Sequence, residues 1–158
     1  YVDQAIGRIA FERQGDRLAN AVLGAGDQTS AMTAVQEMIG ALMHGQRLTL
    51  TFRFRDGSSD LDPQSRSNLR RLSEAVNRGD FDGQDLIFVG FSDGVGPAGG
   101  NLRLSKERAR SVRLAVSSML DGAPVELSSD GFGEAMPMAC DDTAWGRQVN
   151  RRVEVWVR

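Results

Sequence analysis

The fold of this chain is decided by residues 86–112, which read LIFVGFSDGVGPAGGNLRLSKERARSV. The first six residues form an apolar run that is typical of a buried strand, and Ser92-Asp93-Gly94 ends it. A glycine-rich loop follows at 94–100. From about Ser105 onward, apolar residues recur at helical spacing and are expected to face the core, at Ala109, Val112, Val116 and Met119. The stretch therefore predicts a strand, a loop at its end and a helix that begins near Ser105.

Outward from this unit, the chain predicts three more strands and one more helix. Residues 48–55 alternate apolar and polar side chains with a period of two, which indicates a half-buried strand. Asp62-Pro63 is typical of a helix start, and glycines at 79–83 end that helix. Short strands are predicted near 125–127 and 153–157. This β-α-β-α-β-β order predicts an α/β (α+β) two-layer sandwich, with a mixed sheet and helices on one face.

A change of pattern near residue 46 divides the chain into two regions. Residues 1–45 space their apolar side chains as helices do and predict an N-terminal helical segment. Residues 46–158 form the predicted α/β domain. The first region has two interpretations: the tail of an upstream domain, or helices that dock against the second region.

Composition excludes several classes of function. A formal net charge of −2 gives the chain no overall attraction to nucleic acid. His44 and Cys140 are the only residues of their types, so we expect neither a metal site nor a cofactor that depends on them. No apolar run approaches the roughly 18 to 20 residues needed to cross a bilayer, so we expect no membrane insertion by this chain.

Asp93 and Arg108 are the two charged residues that we consider as candidates for binding a ligand. Asp93 lies where the predicted strand gives way to a loop, and Arg108 lies in the opening turn of the predicted helix. If the loop folds back, both reach one pocket that suits a zwitterion, because a guanidinium donates two parallel hydrogen bonds to a carboxylate. The alternative is a structural Asp93–Arg108 ion pair within a protein-interaction module. Spacing alone leaves both open.

Four motifs resemble the C-terminal domain family of OmpA, which Pal and MotB share. Residues 90–96 read GFSDGVG where the family has G-[HYF]-[TS]-D-x-x-G. Residues 101–112 read NLRLSKERARSV where the family has N-x-x-L-S-x-x-R-A-x-x-V. GFGE at 131–134 and NRRVEV at 150–155 match two later family motifs. The resemblance covers about 46–158 and implies a peptidoglycan-binding domain in the periplasm or cell envelope of a Gram-negative-type bacterium.

The resemblance also implies a ligand and the residues that hold it. Members of the family bind the peptide stem of peptidoglycan, chiefly at meso-diaminopimelate, whose free end carries an ammonium and a carboxylate on one carbon. Asp93 would then take the ammonium and Arg108 the carboxylate. Further positions match family positions beside the ligand: Asn101, Arg151 and, through their backbones, Phe54 and Arg55. Many relatives have Asp or Asn near Arg55, which leaves a side-chain role there in question.

Three functions are considered for a domain with these residues and this resemblance. The first is a non-catalytic anchor that holds the parent protein on the cell wall. A hydrolase of the same polymer would need paired carboxylates or a zinc set. The acids at hand cluster in turns, where Asp serves caps and bends: Asp56, Asp60, Asp62, Asp141 and Asp142. We therefore expect no enzyme, with the protein-interaction module as the alternative and the oligomeric state left open.

The predicted helix after the loop also carries a basic outer face, formed by Arg103, Lys106, Arg110 and Arg113. The simplest interpretation is a solvated helix surface. A second is attraction to the anionic cell-wall polymer, which would act on association rate more than on specificity.

Overall fold

The computed structural model describes residues 46–158. The expectations for residues 1–45 lie outside this range. Strands and helices alternate along the described residues as β1 Gln46–Arg53, α1 Pro63–Asn77, β2 Asp85–Gly90, α2 Ala98–Ser117, β3 Glu126–Gly131, α3 Ala144–Asn150 and β4 Arg152–Val157.

The strands form one mixed sheet in the order β1-β4-β2-β3. β4 pairs antiparallel with both β1 and β2, whereas β2 and β3 are parallel. A parallel pair needs a long crossover connection, and α2 provides it. The predicted α/β class with a mixed sheet is confirmed.

One face of the sheet and the two long helices share the main core. The sheet contributes residues such as Phe52, Phe88 and Val155, which are fully buried. α1 contributes Leu72 and Val76, and α2 contributes three further apolar side chains, Ala109, Val112 and Val116. Both long helices therefore lie on the same face, as the predicted two-layer arrangement requires.

The opposite face of the sheet has a smaller core. Ile87, Val89, Phe91 and Phe132 form it, and Trp156 of β4 packs against them. The adjoining β4 pair Arg152 and Glu154 is also buried, with Arg152 Nε 2.8 Å from Glu154 Oε1. The guanidinium of Arg152 lies 4.2 Å from the centre of the Phe91 ring. This arginine of the N-R-R motif therefore stabilises the sheet.

α1 begins where the sequence predicts it. Asp62 is the N-cap, its Oδ1 accepts a hydrogen bond of 2.7 Å from the backbone N–H of Ser65, and Pro63 occupies the first turn. The hydroxyl of Ser65 in turn accepts one of 2.7 Å from the backbone N–H of Arg53, which ties the helix start to the end of β1.

The predicted start of α2 near Ser105 is wrong by seven residues. The helix begins at Ala98, with Pro97 as N-cap, and it includes Gly99 and Gly100. Glycines suggest a loop, yet they are tolerated in a first turn whose N–H groups need no helical partner. Ser105 lies inside the helix: its hydroxyl donates to the Leu102 carbonyl (2.8 Å) and accepts from Gly133 N–H (2.9 Å).

Two further expectations need correction. The seven-residue helix α3 precedes β4, so the last two strands are not consecutive elements. Its N-cap Thr143 accepts a hydrogen bond of 2.9 Å from Gly146 N–H, and so short a helix leaves little periodicity to detect. Met119 lies beyond the end of α2 and is 37% exposed, so it does not face the core as predicted.

Candidate functional site

Arg108 lies inside the domain, in the third turn of α2 instead of the first. Its side chain is completely buried. Its Nε donates to the Ser58 carbonyl (3.0 Å) and its Nη2 to the Arg55 carbonyl (3.4 Å). Its guanidinium carbon is 5.1 Å from the centre of the Phe54 ring. α2 therefore holds a cation against the loop that follows β1.

Burial makes this cation unusual. Loss of solvation lowers the pKa of Arg108 to about 10, and the positive charge of Arg151 acts in the same direction. Asp93 and Asp56 partly offset this lowering of the pKa. Arg108 still carries its charge at neutral pH. These interactions place both arginines and both carboxylates in one electrostatic neighbourhood.

Asp93 lies three residues after the end of β2, where the strand gives way to a loop as predicted, and it is only 7% exposed. One carboxylate oxygen lies 2.8 Å from Nη1 of Arg151, and the other accepts a hydrogen bond of 3.2 Å from Val95 N–H. The same Nη1 is 3.6 Å from Oδ1 of Asp56. Arg151 follows α3 directly, so the ends of β1, β2 and α3 meet at this point.

The Asp93–Arg108 ion pair of the alternative interpretation is not formed. Within residues 46–158, the salt bridge of Asp93 is made with Arg151, and Arg108 has none. The negative charge of Asp93 nevertheless raises the pKa of Arg108, so the two side chains lie within electrostatic range. Asp93 and Arg108 are neighbours without being partners.

Buried N–H groups of both arginines lack hydrogen-bond acceptors. Among the described residues, Nη1 of Arg108, Nε of Arg151 and the hydroxyl of Ser92 are buried and have no partner. An unsatisfied buried group costs roughly 1–3 kcal/mol, and more when it is charged. A carboxylate that reached these N–H groups would remove that cost, so the site is suited to an anionic group placed beside Asp93.

Three further residues predicted to lie beside the ligand, Asn101, Phe54 and Arg55, make contacts with other parts of the protein. Asn101 is 7% exposed, and its amide donates to Glu134 Oε2 at 3.1 Å, which links α2 to the loop after β3. Phe54 is buried beneath the guanidinium of Arg108. The backbone carbonyl of Arg55 accepts a hydrogen bond from Arg108, and the backbone N–H of Arg55 donates to the Asp60 carbonyl (3.4 Å). The side chain of Arg55 is exposed. The backbone groups of Arg55 are therefore used in hydrogen bonds that hold the loop after β1.

Sequence reasoning missed the residues that shape the two loops. The sequence places Asp56 in a turn and assigns no role to Ser58, yet Asp56 faces Arg151 and the carbonyl of Ser58 accepts from Arg108. Asp141 accepts a hydrogen bond of 2.7 Å from Gly94 N–H and thereby holds the loop that carries Asp93. No local signal marks these contacts, because each joins distant parts of the chain.

Asn150, the first residue of the N-R-R motif, orients Asp141. Its side-chain amide donates to Asp141 Oδ1 (2.7 Å) and to the Ala139 carbonyl (2.8 Å), and its oxygen accepts from Met138 N–H (2.7 Å). Asn150 is completely buried. The three motif residues therefore have different contacts: Asn150 orients Asp141, Arg151 pairs with Asp93 in the site, and Arg152 pairs with Glu154 in the sheet.

A family model described as the OmpA family matches residues 53–151, which is more than half of the chain. The chain belongs to the OmpA family. The match includes every predicted site residue, and the resemblance seen in the four motifs is confirmed.

Two curated relatives of this OmpA-family chain are named as outer-membrane proteins. Outer membrane porin F of Pseudomonas fluorescens is 32% identical over 112 residues, which cover 70% of this chain and 33% of that protein. Outer membrane protein A of Bordetella avium is 36% identical over 98 residues, or 61% of this chain and 48% of that protein. The matched region thus spans between a third and about half of each relative.

A solved structure with a similar fold is that of the peptidoglycan-associated lipoprotein from Burkholderia pseudomallei. The TM-score is 0.60 at 22% identity, and the match covers 70% of this chain and 91% of that chain. At this identity the likeness concerns the fold, and it agrees with the two-layer architecture of residues 46–158.

The relatives also bear on where the protein lies. The names of these two relatives place them in the outer membrane, which confirms the predicted location in the bacterial cell envelope. Within the described residues, no helix combines the length and the apolar character that a membrane span requires.

Proposed function

We propose that residues 46–158 bind the peptide stem of peptidoglycan through its diaminopimelate residue and so hold the parent protein on the cell wall. The observation that carries this proposal is the buried guanidinium of Arg108, whose Nη1 has no acceptor among the described residues. Asp93 provides an opposite charge in the same neighbourhood. A ligand with a carboxylate and an ammonium on one carbon matches both charges.

The ligand's carboxylate belongs at Arg108 in this proposal. Two hydrogen bonds to backbone carbonyls already hold Nε and Nη2 of Arg108, so the guanidinium is oriented before the ligand arrives. A pre-oriented donor loses less entropy on binding than a mobile one. The remaining N–H groups of Nη1 then make the charge-assisted bonds that favour binding.

The ligand's ammonium belongs at Asp93. That carboxylate is now paired with Arg151, and Asp56 lies on the other side of the same Arg151 Nη1. Two acids and two arginines give the site no net charge, which suits a ligand whose own free end is zwitterionic. Arg151 is proposed to stay beside the ligand and to share Asp93 with the ammonium.

Family membership supports the proposal from a second direction. A protein with this fold is named for its association with peptidoglycan, and the curated relatives are envelope proteins. The proposal contains no catalytic step, since Asp93, Arg108 and Arg151 supply charge and hydrogen bonds and include no nucleophile with its base. Binding without turnover is the expected behaviour.

The proposal predicts discrimination between two kinds of peptide stem. A stem with lysine in place of diaminopimelate lacks the side-chain carboxylate and leaves Arg108 unsatisfied. Because a hydrogen bond to a charged group contributes about 1.5–3 kcal/mol, the lysine stem should bind roughly 10-fold to 150-fold more weakly. Isothermal titration of the 158-residue chain with both stems measures the difference.

The other outcomes separate the competing functions. Equal affinity for both stems would remove diaminopimelate from the account. Release of cleaved product during the titration would favour a hydrolase. Absence of heat with either stem, in a chain that is folded by circular dichroism, would favour the protein-interaction module.

A further inference from the structure

Charge is distributed unevenly between the helix layer and the rest of the described domain. α1 and α2 together contain eight basic and two acidic residues, whereas the remaining described residues contain eight basic and fourteen acidic ones. The domain as a whole is neutral, so this separation does not follow from an excess of arginine. It marks one layer as a cationic surface.

Five of these basic residues form what we term the outer helix surface: Arg66, Arg70, Arg71, Arg103 and Arg110. All five are exposed, and none makes a salt bridge within residues 46–158. The other basic residues of the layer are engaged elsewhere. Arg108 belongs to the site, Lys106 pairs with Asp130 of β3 at 3.2 Å, and Arg113 donates to the hydroxyl of Ser129.

The five arginines lie on one side of the molecule. Both long helices pack their buried stripes against the same face of the sheet, so their outward sides point in the same direction. On α2, Arg103 and Arg110 are seven residues apart and share one stripe. The outer helix surface therefore presents several guanidinium groups together to one partner.

We propose that the outer helix surface contacts the carboxylates of neighbouring peptide stems in the same polymer while one stem occupies the site. This inference rests on the proposed function. Guanidinium groups recognise carboxylates by paired hydrogen bonds. A domain held by one stem also meets the neighbouring stems at a high effective concentration, so weak contacts add measurably to the overall affinity.

The composition of the surface favours a carboxylate polymer over a lipid bilayer. Helices that lie on membranes carry a broad apolar face. Within α1 and α2, Leu114 is the large apolar side chain that is clearly exposed, at 48%. The acidic residues Glu74 and Glu107 also lie among the exposed positions of these two helices. Such a surface attracts carboxylates without inserting into lipid.

The test compares a polymer with a single stem. In the 158-residue chain, R66Q, R70Q, R103Q and R110Q are combined, and binding to purified sacculi and to a soluble stem peptide is measured. Because exposed ion contacts contribute a few tenths of a kcal/mol each, sacculus binding should weaken about tenfold at low salt. The loss should shrink at high salt through screening. Affinity for the soluble stem should stay within twofold of wild type.

A matched variant changes the same four positions to lysine. It keeps the charge, so it should retain most of the sacculus affinity, and a melting curve checks that both variants are folded. Unchanged sacculus binding by the glutamine variant would overturn the inference. It would also be overturned if wild type bound vesicles that contain phosphatidylglycerol and the glutamine variant lost that binding to the same extent as its binding to sacculi. If wild type failed to bind the soluble stem, the proposed function itself would fail, which is a different result.

Discussion

Replacing Arg108 by methionine should weaken binding of the diaminopimelate stem by about 30-fold to 1,000-fold, or roughly 2–4 kcal/mol. Methionine keeps an unbranched, apolar side chain next to Phe54 but offers no donor to the ligand's carboxylate. The ligand's carboxylate would then lose its bound water on entering the site without gaining a hydrogen-bond donor. Isothermal titration of wild type and variant measures the change.

Two controls make this result specific. Arg110→Met removes the same kind of side chain from an exposed position two residues later on α2, so affinity for the soluble stem should change less than twofold. The unfolding free energy of Arg108→Met should be measured as well, since Ser58 and Arg55 lose their donor. A folded Arg108→Met variant that binds within twofold of wild type would contradict the assignment of the site.

Gly90→Ala should cause a large loss of stability. A Cβ at this position would overlap the backbone carbonyl oxygen of Ser105 and lie 2.8 Å from its carbon. These are backbone atoms of α2, so the helix must move away from the sheet. Overpacking of this kind costs about 3 kcal/mol. Denaturant unfolding followed by circular dichroism measures the loss.

Gly100→Ala provides the matched control for this prediction. Gly100 lies in the first turn of α2, and apart from its chain neighbours and the backbone of its own helix no atom comes within 4 Å of a Cβ built there. Alanine is the better helix former by roughly 0.5–1 kcal/mol, so this variant should be as stable as wild type or more so. Equal stability of the two alanine variants would mean that α2 does not approach β2 as closely as described.

The fold was largely predictable because its elements have strong local signals. Alternation of apolar and polar residues located β1, and Asp62-Pro63 located the start of α1. Gly99 and Gly100 favour a loop, so the sequence predicts the start of α2 too late. Tertiary contacts that local propensity does not register accompany the earlier start: Asn101 in the first turn donates to Glu134, and Ser105 accepts from Gly133 N–H.

The candidate site was predictable only in part. The motifs identify Asp93, Arg108 and Arg151, and the structure brings these three into one neighbourhood. They do not predict that Asp93 pairs with Arg151, or that loop carbonyls hold Arg108. Those contacts join residues 50 or more positions apart, so they depend on how the sheet brings loops together and not on spacing along the chain.

The most direct test of the central claim is a crystal structure of the 158-residue chain soaked with a diaminopimelate stem peptide. The account predicts the side-chain carboxylate of diaminopimelate within hydrogen-bonding distance of Arg108 Nη1, and the adjacent ammonium at the carboxylate of Asp93. A peptide bound elsewhere, with the Asp93–Arg151 pair and the surroundings of Arg108 unchanged, would contradict it.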